Sequence, residues 1–421
     1  MRGSSPRMTH TRHAIQSSVL MLSPDTFALT ALLALLTALG PLAMDLYLPS
    51  LPAIEAALGT SAAQVQLTIS VYLIGFAVGQ IVYGPVSDRL GRKPVLSAAL
   101  VIFCVGTLVC SVAPSIGALI AARALQGAGA AGVIVLTRAI VRDLYEGPRA
   151  GRELSLMGAI MGVAPIVAPL IGGFTQTSFG WRSGFILIFV AGLAAIVVVW
   201  RLLPETARRH KPPGHPLVVL ARSYVVVGKS GSFLAHLGIA AASYAGLFAY
   251  ISGSSFVLQG LYGLSPLAFG LFYGVTSLGF IAGTLIGAKL VTRRGFDRTI
   301  GLGAGALATG GLLLVAGVGF APSSVVALAA PMMVYLAGLG LVLPLSIASA
   351  LQPFPERAGA ASSFLGSVQQ TVGAIVGALV GHSLGASAWP MIIGIAAAGC
   401  LTLLLWLATR TVRTRPFKPR S

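Results

Sequence analysis

Residues 84–94 read Gly84-Pro85-Val86-Ser87-Asp88-Arg89-Leu90-Gly91-Arg92-Lys93-Pro94 and stand between two long apolar runs. The acid Asp88 and the bases Arg89, Arg92 and Lys93 are gathered here, while the flanking runs hold no charge. Gly84 and Gly91 allow close helix contact and a sharp reversal, and Pro94 suits the first turn of a following helix. The stretch reads as a tight loop between two membrane helices, one that docks on a neighbouring helix end and releases when the two move apart. The plain alternative is a positively charged loop that only sets topology.

Composition sets the class. Of 421 residues, 56% are hydrophobic and 9% charged, with a mean hydropathy of +0.90; this excludes a soluble globular chain. Residues 230–288, 299–355 and 358–409 contain no Asp, Glu, Lys or Arg. Each stretch is too long for one span of ~20 residues and about right for two joined by a turn. Breaks at Gly, Pro and charge place spans at 26–47, 63–85, 95–113, 116–138, 154–175 and 183–203. A second set falls at 231–256, 265–290, 299–319, 325–350, 358–382 and 387–408. The expectation is an all-α integral membrane protein of twelve transmembrane helices.

The formal net charge of +18 suggests nucleic acid until the bases are placed along the chain. With a cytoplasmic N-terminus, only Arg123 and Arg182 of the 28 Lys and Arg residues fall outside the cytoplasmic segments and the adjoining span ends. That asymmetry follows the positive-inside rule, puts both termini in the cytoplasm and leaves no nucleic-acid partner to expect. Residues 1–25, with Arg2, Arg7 and Arg12, read as a polar cytoplasmic arm, and the first apolar run has no convincing cleavage site after it. The tail 409–421, with Arg410, Arg413, Arg415, Lys418 and Arg420, is expected to lie against anionic headgroups as a topology anchor. Cys104, Cys110 and Cys400 fall within spans, too few for a disulfide framework or a zinc site. No metal, cofactor or enzymatic chemistry is expected.

The chain divides near its middle. Residues 204–230 form the longest polar connection, with a six-span unit, 26–203, before it and another, 231–408, after it. Arg149-Ala150-Gly151 before span 5 recurs as Arg357-Ala358-Gly359 before span 11. Arg89-Leu90-Gly91 after span 2 recurs as Arg293-Arg294-Gly295 after span 8, where Thr292 replaces the acid. A duplication of this kind allows two six-helix bundles around a central cavity, rocking to expose it alternately.

The pattern Gly84-x-x-x-Asp88-Arg89-x-Gly91-Arg92-Lys93 resembles the loop between helices 2 and 3 of the major facilitator superfamily. Span 4 carries Arg123-Ala124-Leu125-Gln126-Gly127, similar to that superfamily's Arg-x-x-Gln-Gly motif. Span 5 carries Gly162, Pro165, Pro169, Gly172 and Gly173, similar to the motif of its drug:proton antiporter branch. Two prolines four apart and paired glycines bend a helix and admit another closely. Met44-Asp45-Leu46-Tyr47-Leu48-Pro49-Ser50-Leu51-Pro52, Arg138 to Asp143, and Ile251-Ser252-Gly253-Ser254 resemble the bicyclomycin- and chloramphenicol-resistance (Bcr/CflA) type of bacterial efflux protein. Ser255 departs from that type, where proline is expected, and span 1 lacks the second acid of some related antiporters. The resemblance implies the major facilitator fold, a gating role for residues 84–93 and drug export driven by the proton gradient.

An antiporter needs a titrating group in its path, and of ten acidic residues the spans enclose one, Asp45. A charged acid at the bilayer centre costs ~2.5–3.5 kcal/mol on insertion scales, so its presence asks for a reason. Counted from Phe27 at ~1.5 Å per residue, Asp45 stands roughly 27 Å along a ~30 Å core. There the plain reading is a solvated helix cap; a kink at Pro41 would turn it to the cavity, as the resemblance implies. Arg123 lies ~10 Å in from the outer face, and a guanidinium at that depth demands a partner or water. Either it shares a switchable contact with Asp45, or it is fixed by an ion pair or by Gln126 and carbonyl groups. Tyr47, Tyr72, Gln126, Tyr244, Phe248, Tyr250, Gln369 and Gln370 are candidates to line the cavity, with helix–helix packing the alternative for each.

The reading is therefore a proton-coupled exporter of small hydrophobic drugs or xenobiotics in a bacterial inner membrane. Its expected partners are the drug, protons and the lipid bilayer, with the chain acting as a monomer. Two other classes stay open: a metabolite importer or facilitator on the same fold, and a membrane sensor that no longer transports. The proline–glycine pattern of span 5 argues against the first, and the Asp88 loop with Asp45 and Arg123 against the second.

Overall fold

The computed structural model describes residues 27–145, 147–207, 216–385 and 387–413. Among them, twelve helices are long and apolar enough to cross a bilayer. The first half contains α1 (Phe27–Asp45), α2 (Ala62–Leu90), α3 (Arg92–Val112), α4 (Ile116–Leu144), α5 (Gly147–Phe179) and α6 (Arg182–Leu202). The second contains α7 (Gly231–Ser255), α8 (Pro266–Arg294), α9 (Phe296–Phe320), α10 (Val325–Leu351), α11 (Ala358–Ser383) and α12 (Trp389–Ala408). A shorter helix, Pro216–Gly228, lies in the connection between the halves. The expected arm 1–25, linker residues 208–215 and tail residues 414–421 lie outside the described residues.

The helix ends near residues 90, 144, 203, 230, 294 and 355 share one face, called here the basic face, and the opposite ends share the far face. At the far face Ser61, Ser115, Ser265 and Ser324 start α2, α4, α8 and α10, each accepting a backbone N–H at Oγ. Such caps satisfy a donor that the first turn leaves unpaired.

Some expected boundaries are corrected. Span 1 was expected to end at 47, yet the chain continues through a 3-10 turn, Leu48–Ser50, into the helix Leu51–Ala57, giving one membrane segment Ala28–Ala57. Pro49 and Pro52, which suggest a stop, each fall at the start of a helical segment, where a missing N–H loses no partner. The stretch 84–90, expected as a loop, is the end of α2, and Gly91 alone separates it from α3. Apolar character ends at the membrane boundary, whereas a helix with charged side chains continues into water. At Gly91 φ is +100°, and at its counterpart Gly295, between α8 and α9, φ is +75°; side chains beyond glycine are strained there.

The halves repeat one packing scheme. In the first, α2 and α3 pack on α4, α3 on α6 and α1 on α5; in the second, α8 and α9 pack on α10, α9 on α12 and α7 on α11. The repeat reaches single atoms. A Cβ on Gly75 would stand 2.2 Å from the Ala124 carbonyl oxygen, and one on Gly279 would stand 2.4 Å from that of Met333. Helices this close gain van der Waals contact, which in a bilayer replaces the hydrophobic effect as the source of cohesion. The two six-helix bundles meet along two seams, α2 with α11 and α5 with α8.

Arg413 corrects the expectation of a tail lying wholly on headgroups. Its buried guanidinium pairs with Asp297 at the start of α9 (2.9 Å) and donates to the Trp406 carbonyl (2.6 Å). A nearby carboxylate and carbonyl hold this base in the protein.

Candidate functional site

A cavity of about 230 Å³ lies between the halves. Gly40, Pro41, Met44 and Asp45 of α1 line it with Tyr72, Leu73 and Phe76 of α2, Ile134 of α4, and Gly162 and Pro165 of α5. From the second half come Tyr244, Leu247, Phe248, Tyr250 and Ile251 of α7, Tyr273, Ser277 and Phe280 of α8, three leucines of α10, and Gln370 of α11. Among these lining residues Asp45 alone is an acid, and none is Lys, Arg or His. Asp45 is 6% exposed, and no hydrogen bond or ion pair to it forms among the described residues. Because the membrane segment continues to Ala57, Asp45 is internal to it rather than a cap at its end. Pro41 removes one N–H from the helix ladder a turn before Asp45.

The aromatic lining is tied by hydrogen bonds. Tyr72 donates to the Gly40 carbonyl at 3.0 Å, and Tyr244 donates to Gln370 Oε1 at 2.5 Å. Tyr250 and Tyr273 stack with ring centroids 5.2 Å apart. Sequence reading missed Tyr273, Ser277 and Phe280, whose spacing is that of ordinary core residues; only the rotation of α8 turns them inward.

Three expected lining residues lie elsewhere. Tyr47 packs on Phe185 with centroids 5.2 Å apart, its hydroxyl 2.9 Å from Thr68 Oγ1. Gln126 is fully buried and donates to Thr107 Oγ1 at 2.8 Å. Gln369 is buried outside the cavity, on the helix face adjoining that of Gln370. A step of one residue turns a side chain by about 100° around the helix, enough to remove it from the cavity.

Arg123 is fully buried. Its Nη1 donates to Gln126 Oε1 at 2.5 Å and to the Ala43 carbonyl at 3.3 Å. Its guanidinium carbon lies over the Tyr47 ring at 4.7 Å and over the Tyr72 ring at 4.3 Å. Desolvated cation–π contacts contribute about 2 kcal/mol, and with these acceptors they replace an acidic partner. Arg123 thus forms no ion pair with Asp45; Tyr72 is common to both surroundings. Of the alternatives open in the sequence, the structure has the Gln126 and carbonyl arrangement.

The halves also join beyond the cavity, at the far face. Ser255 Oγ donates to the Leu48 carbonyl at 2.6 Å, and Gln259 Nε2 donates to the Pro49 carbonyl at 3.1 Å. Ser255, the departure from the expected proline, supplies a donor across the interface. In the α5 motif, a Cβ on Gly172 would meet the carbonyl oxygen of Leu46, just after α1, at 2.2 Å. One on Gly173 would meet that of Pro266 on α8 at 2.4 Å. Adjacent glycines thus serve two neighbours, while Gly162 and Pro165 line the cavity.

On the basic face the expected docking of residues 84–94 on a neighbouring helix end is made by Arg92. Arg92 Nε donates to Asp143 Oδ2 at the end of α4 (2.7 Å), and Nη1 donates to Ser87 Oγ and Asp88 Oδ1 (2.6 Å each). Glu205, just after α6, accepts the backbone N–H groups of Arg92 and Lys93 at 2.8 and 3.2 Å, an acid placed at the positive end of α3. Arg92→Ala should therefore impair export more than Asp88→Asn, whose Asp88 side chain is 45% exposed and which leaves the Arg92–Asp143 bond intact. Drug accumulation normalised to membrane-inserted protein checks this; an equal loss in both variants would remove Arg92 from the centre of the network.

This arrangement matches a known family. The model of the Major Facilitator Superfamily matches residues 33–378. The chain belongs to that superfamily. It is 30% identical to the bicyclomycin resistance protein homolog of Haemophilus influenzae over 397 residues, covering 93% of this chain and 98% of the relative. With the chloramphenicol resistance protein of Pseudomonas aeruginosa it shares 31% identity over 404 residues, 93% of this chain and 89% of the relative. Among solved structures, a bacterial homolog of the human lysosomal transporter Spinster, inward-facing and unoccupied, superposes with a TM-score of 0.73 at 16% identity. It covers 93% of this chain and 98% of that one, and it establishes the fold alone. The transporter is a multi-pass membrane protein with the Asp45 cavity between its two repeats.

Proposed function

We propose that this transporter exports small, largely apolar drug-like molecules in exchange for protons, acting as a monomer in a bacterial inner membrane. The observation that carries the proposal is Asp45: a carboxyl without a partner among the described residues, in an aromatic, otherwise uncharged cavity where two repeated bundles meet. The names of the resistance proteins to which the chain is similar support the drug as cargo. The gathering of bases on one face supports assigning that face to the cytoplasm, so that the contacts of Ser255 and Gln259 close the outside.

The physical cycle follows. An ionised Asp45 has neither counter-ion nor donor here, and a bare charge in such surroundings is expensive. The protonated carboxyl has no such need. Protonation from the outside therefore suits the closed cavity on its way inward, and water entering from the basic face favours proton release there before the drug takes the cavity. One proton crossing ~100 mV supplies about 2.3 kcal/mol, enough for a severalfold to hundredfold drug gradient once a pH gradient adds to it.

The test is accumulation. Expressed in a pump-deficient bacterial strain, the gene should lower uptake of chloramphenicol or another member of a drug panel and raise the inhibitory concentration. An importer would raise accumulation instead. No change across the panel, with the protein present in the membrane, would count against export.

A further inference from the structure

Helix Pro216–Gly228 takes no part in the cycle above. Its 13 residues extend about 20 Å, too short to cross a bilayer. One face is anchored to the second half. The Tyr224 ring stacks on Phe364 of α11 at 5.1 Å between centroids, and its hydroxyl hydrogen-bonds Ser363. Val227 is fully buried in a small apolar cluster with Phe233, Phe354 and Leu365. The helix also runs beside α2 of the first half, so it sits where the α2–α11 seam reaches the basic face.

Its other face has no protein over it among the described residues. Val218, Val219, Val225 and Val226 are 48, 42, 56 and 41% exposed, and Arg222 and Lys229 are exposed among them. Positions 218, 222, 225 and 229 share one stripe of a helix, so valine, arginine, valine and lysine alternate along it. The sequence contains no acid between Glu205 and Asp297. Valines would be unfavourable in water and bases unfavourable in hydrocarbon. The border between acyl chains and anionic headgroups accommodates both.

We propose that helix Pro216–Gly228 is a lipid-binding element, its valine face embedded in the anionic leaflet on the basic side and Arg222 and Lys229 set among lipid phosphates. Two observations commit the occupant to lipid. The exposed large apolar side chains are valines beside membrane helices α2 and α11, and the charge of the face is wholly basic. Because the helix is fixed to α11 yet lies beside α2, any parting of that seam on the basic face carries α2 past an element gripped by lipid.

The test uses the full-length protein with p-benzoyl-phenylalanine at position 225, reconstituted in vesicles of phosphatidylethanolamine and phosphatidylglycerol and illuminated. The expected products are lipid adducts, with phosphatidylglycerol enriched severalfold over its share of the vesicle. The R222Q/K229Q pair should bring that ratio down to the bulk value, a severalfold loss for the two bases together. The same probe at position 218 guards against a local disturbance at 225. At position 285, where Leu285 is 62% exposed on α8, it reports ordinary lipid contact without enrichment. Lipid adducts at 285 but at neither 218 nor 225 would overturn the proposal. So would unchanged enrichment in R222Q/K229Q, or, in native membranes, a discrete cross-linked protein in place of lipid.

Discussion

Asp45→Asn is expected to abolish drug-driven proton movement in everted membrane vesicles while purified protein still binds drug. Asparagine keeps the size of the side chain and most of its polarity but carries no exchangeable charge, so the cavity retains its shape and its aromatic walls. The expected loss is complete for proton release and at least tenfold for export, since no other acid lines the cavity. Binding of a neutral drug should change by less than about tenfold, or ~1.4 kcal/mol, because apolar and aromatic contacts supply most of the interaction. Fluorescence quenching of a permeant pH dye reports the proton, and equilibrium binding reports the drug. If Asp45→Asn vesicles still accumulate drug on energisation and release protons on drug addition, the proton site lies elsewhere.

Arg123→Ala is expected to remove export and destabilise the first half, with binding and proton movement falling together rather than separately. Arg123 is fully buried, so truncation leaves a cavity, strips Gln126 Oε1 and the Ala43 carbonyl of their donor, and ends the contacts with the Tyr47 and Tyr72 rings. Truncating a large core side chain typically costs 2–5 kcal/mol. Arg123→Lys retains the charge but lacks the planar fork that donates while stacking on tyrosine, and it should keep only part of both stability and export. Melting temperatures of the detergent-solubilised variants, beside export and proton movement, distinguish this supporting role from direct coupling. Were Arg123→Ala to fold with unchanged stability and unchanged drug binding yet lose only proton movement, Arg123 would belong to the proton path after all.

Several features were legible without the fold. Hydropathy and charge are local properties, so the twelve spans, the paired six-span units and the asymmetric bases could be read along the chain, as could Asp45 as an acid enclosed by a span. Even there, Pro49 and Pro52 concealed the continuation of the first membrane segment. Proline ends a helix in its interior but starts one at its first turn, and the sequence does not say which applies.

Contacts between distant segments were another matter. Whether Arg123 meets an acid or two tyrosines depends on how α4 is rotated against α1 and α2, and that rotation is set by close approaches such as Gly127 to Tyr72, where a Cβ would stand 2.0 Å from a carbonyl oxygen. The same dependence turned Tyr273 into the cavity and Gln126 away from it. It also made Arg92 rather than Asp88 the residue that reaches Asp143. The sequence by itself determined the class, the number of spans and the duplication and marked Asp45 as an acid set in apolar sequence, because each follows from the polarity of neighbouring residues and the thickness of a bilayer. Tertiary structure alone decided which side chains surround that acid and what neutralises Arg123, because the direction of a side chain is a property of the helices packed against its own.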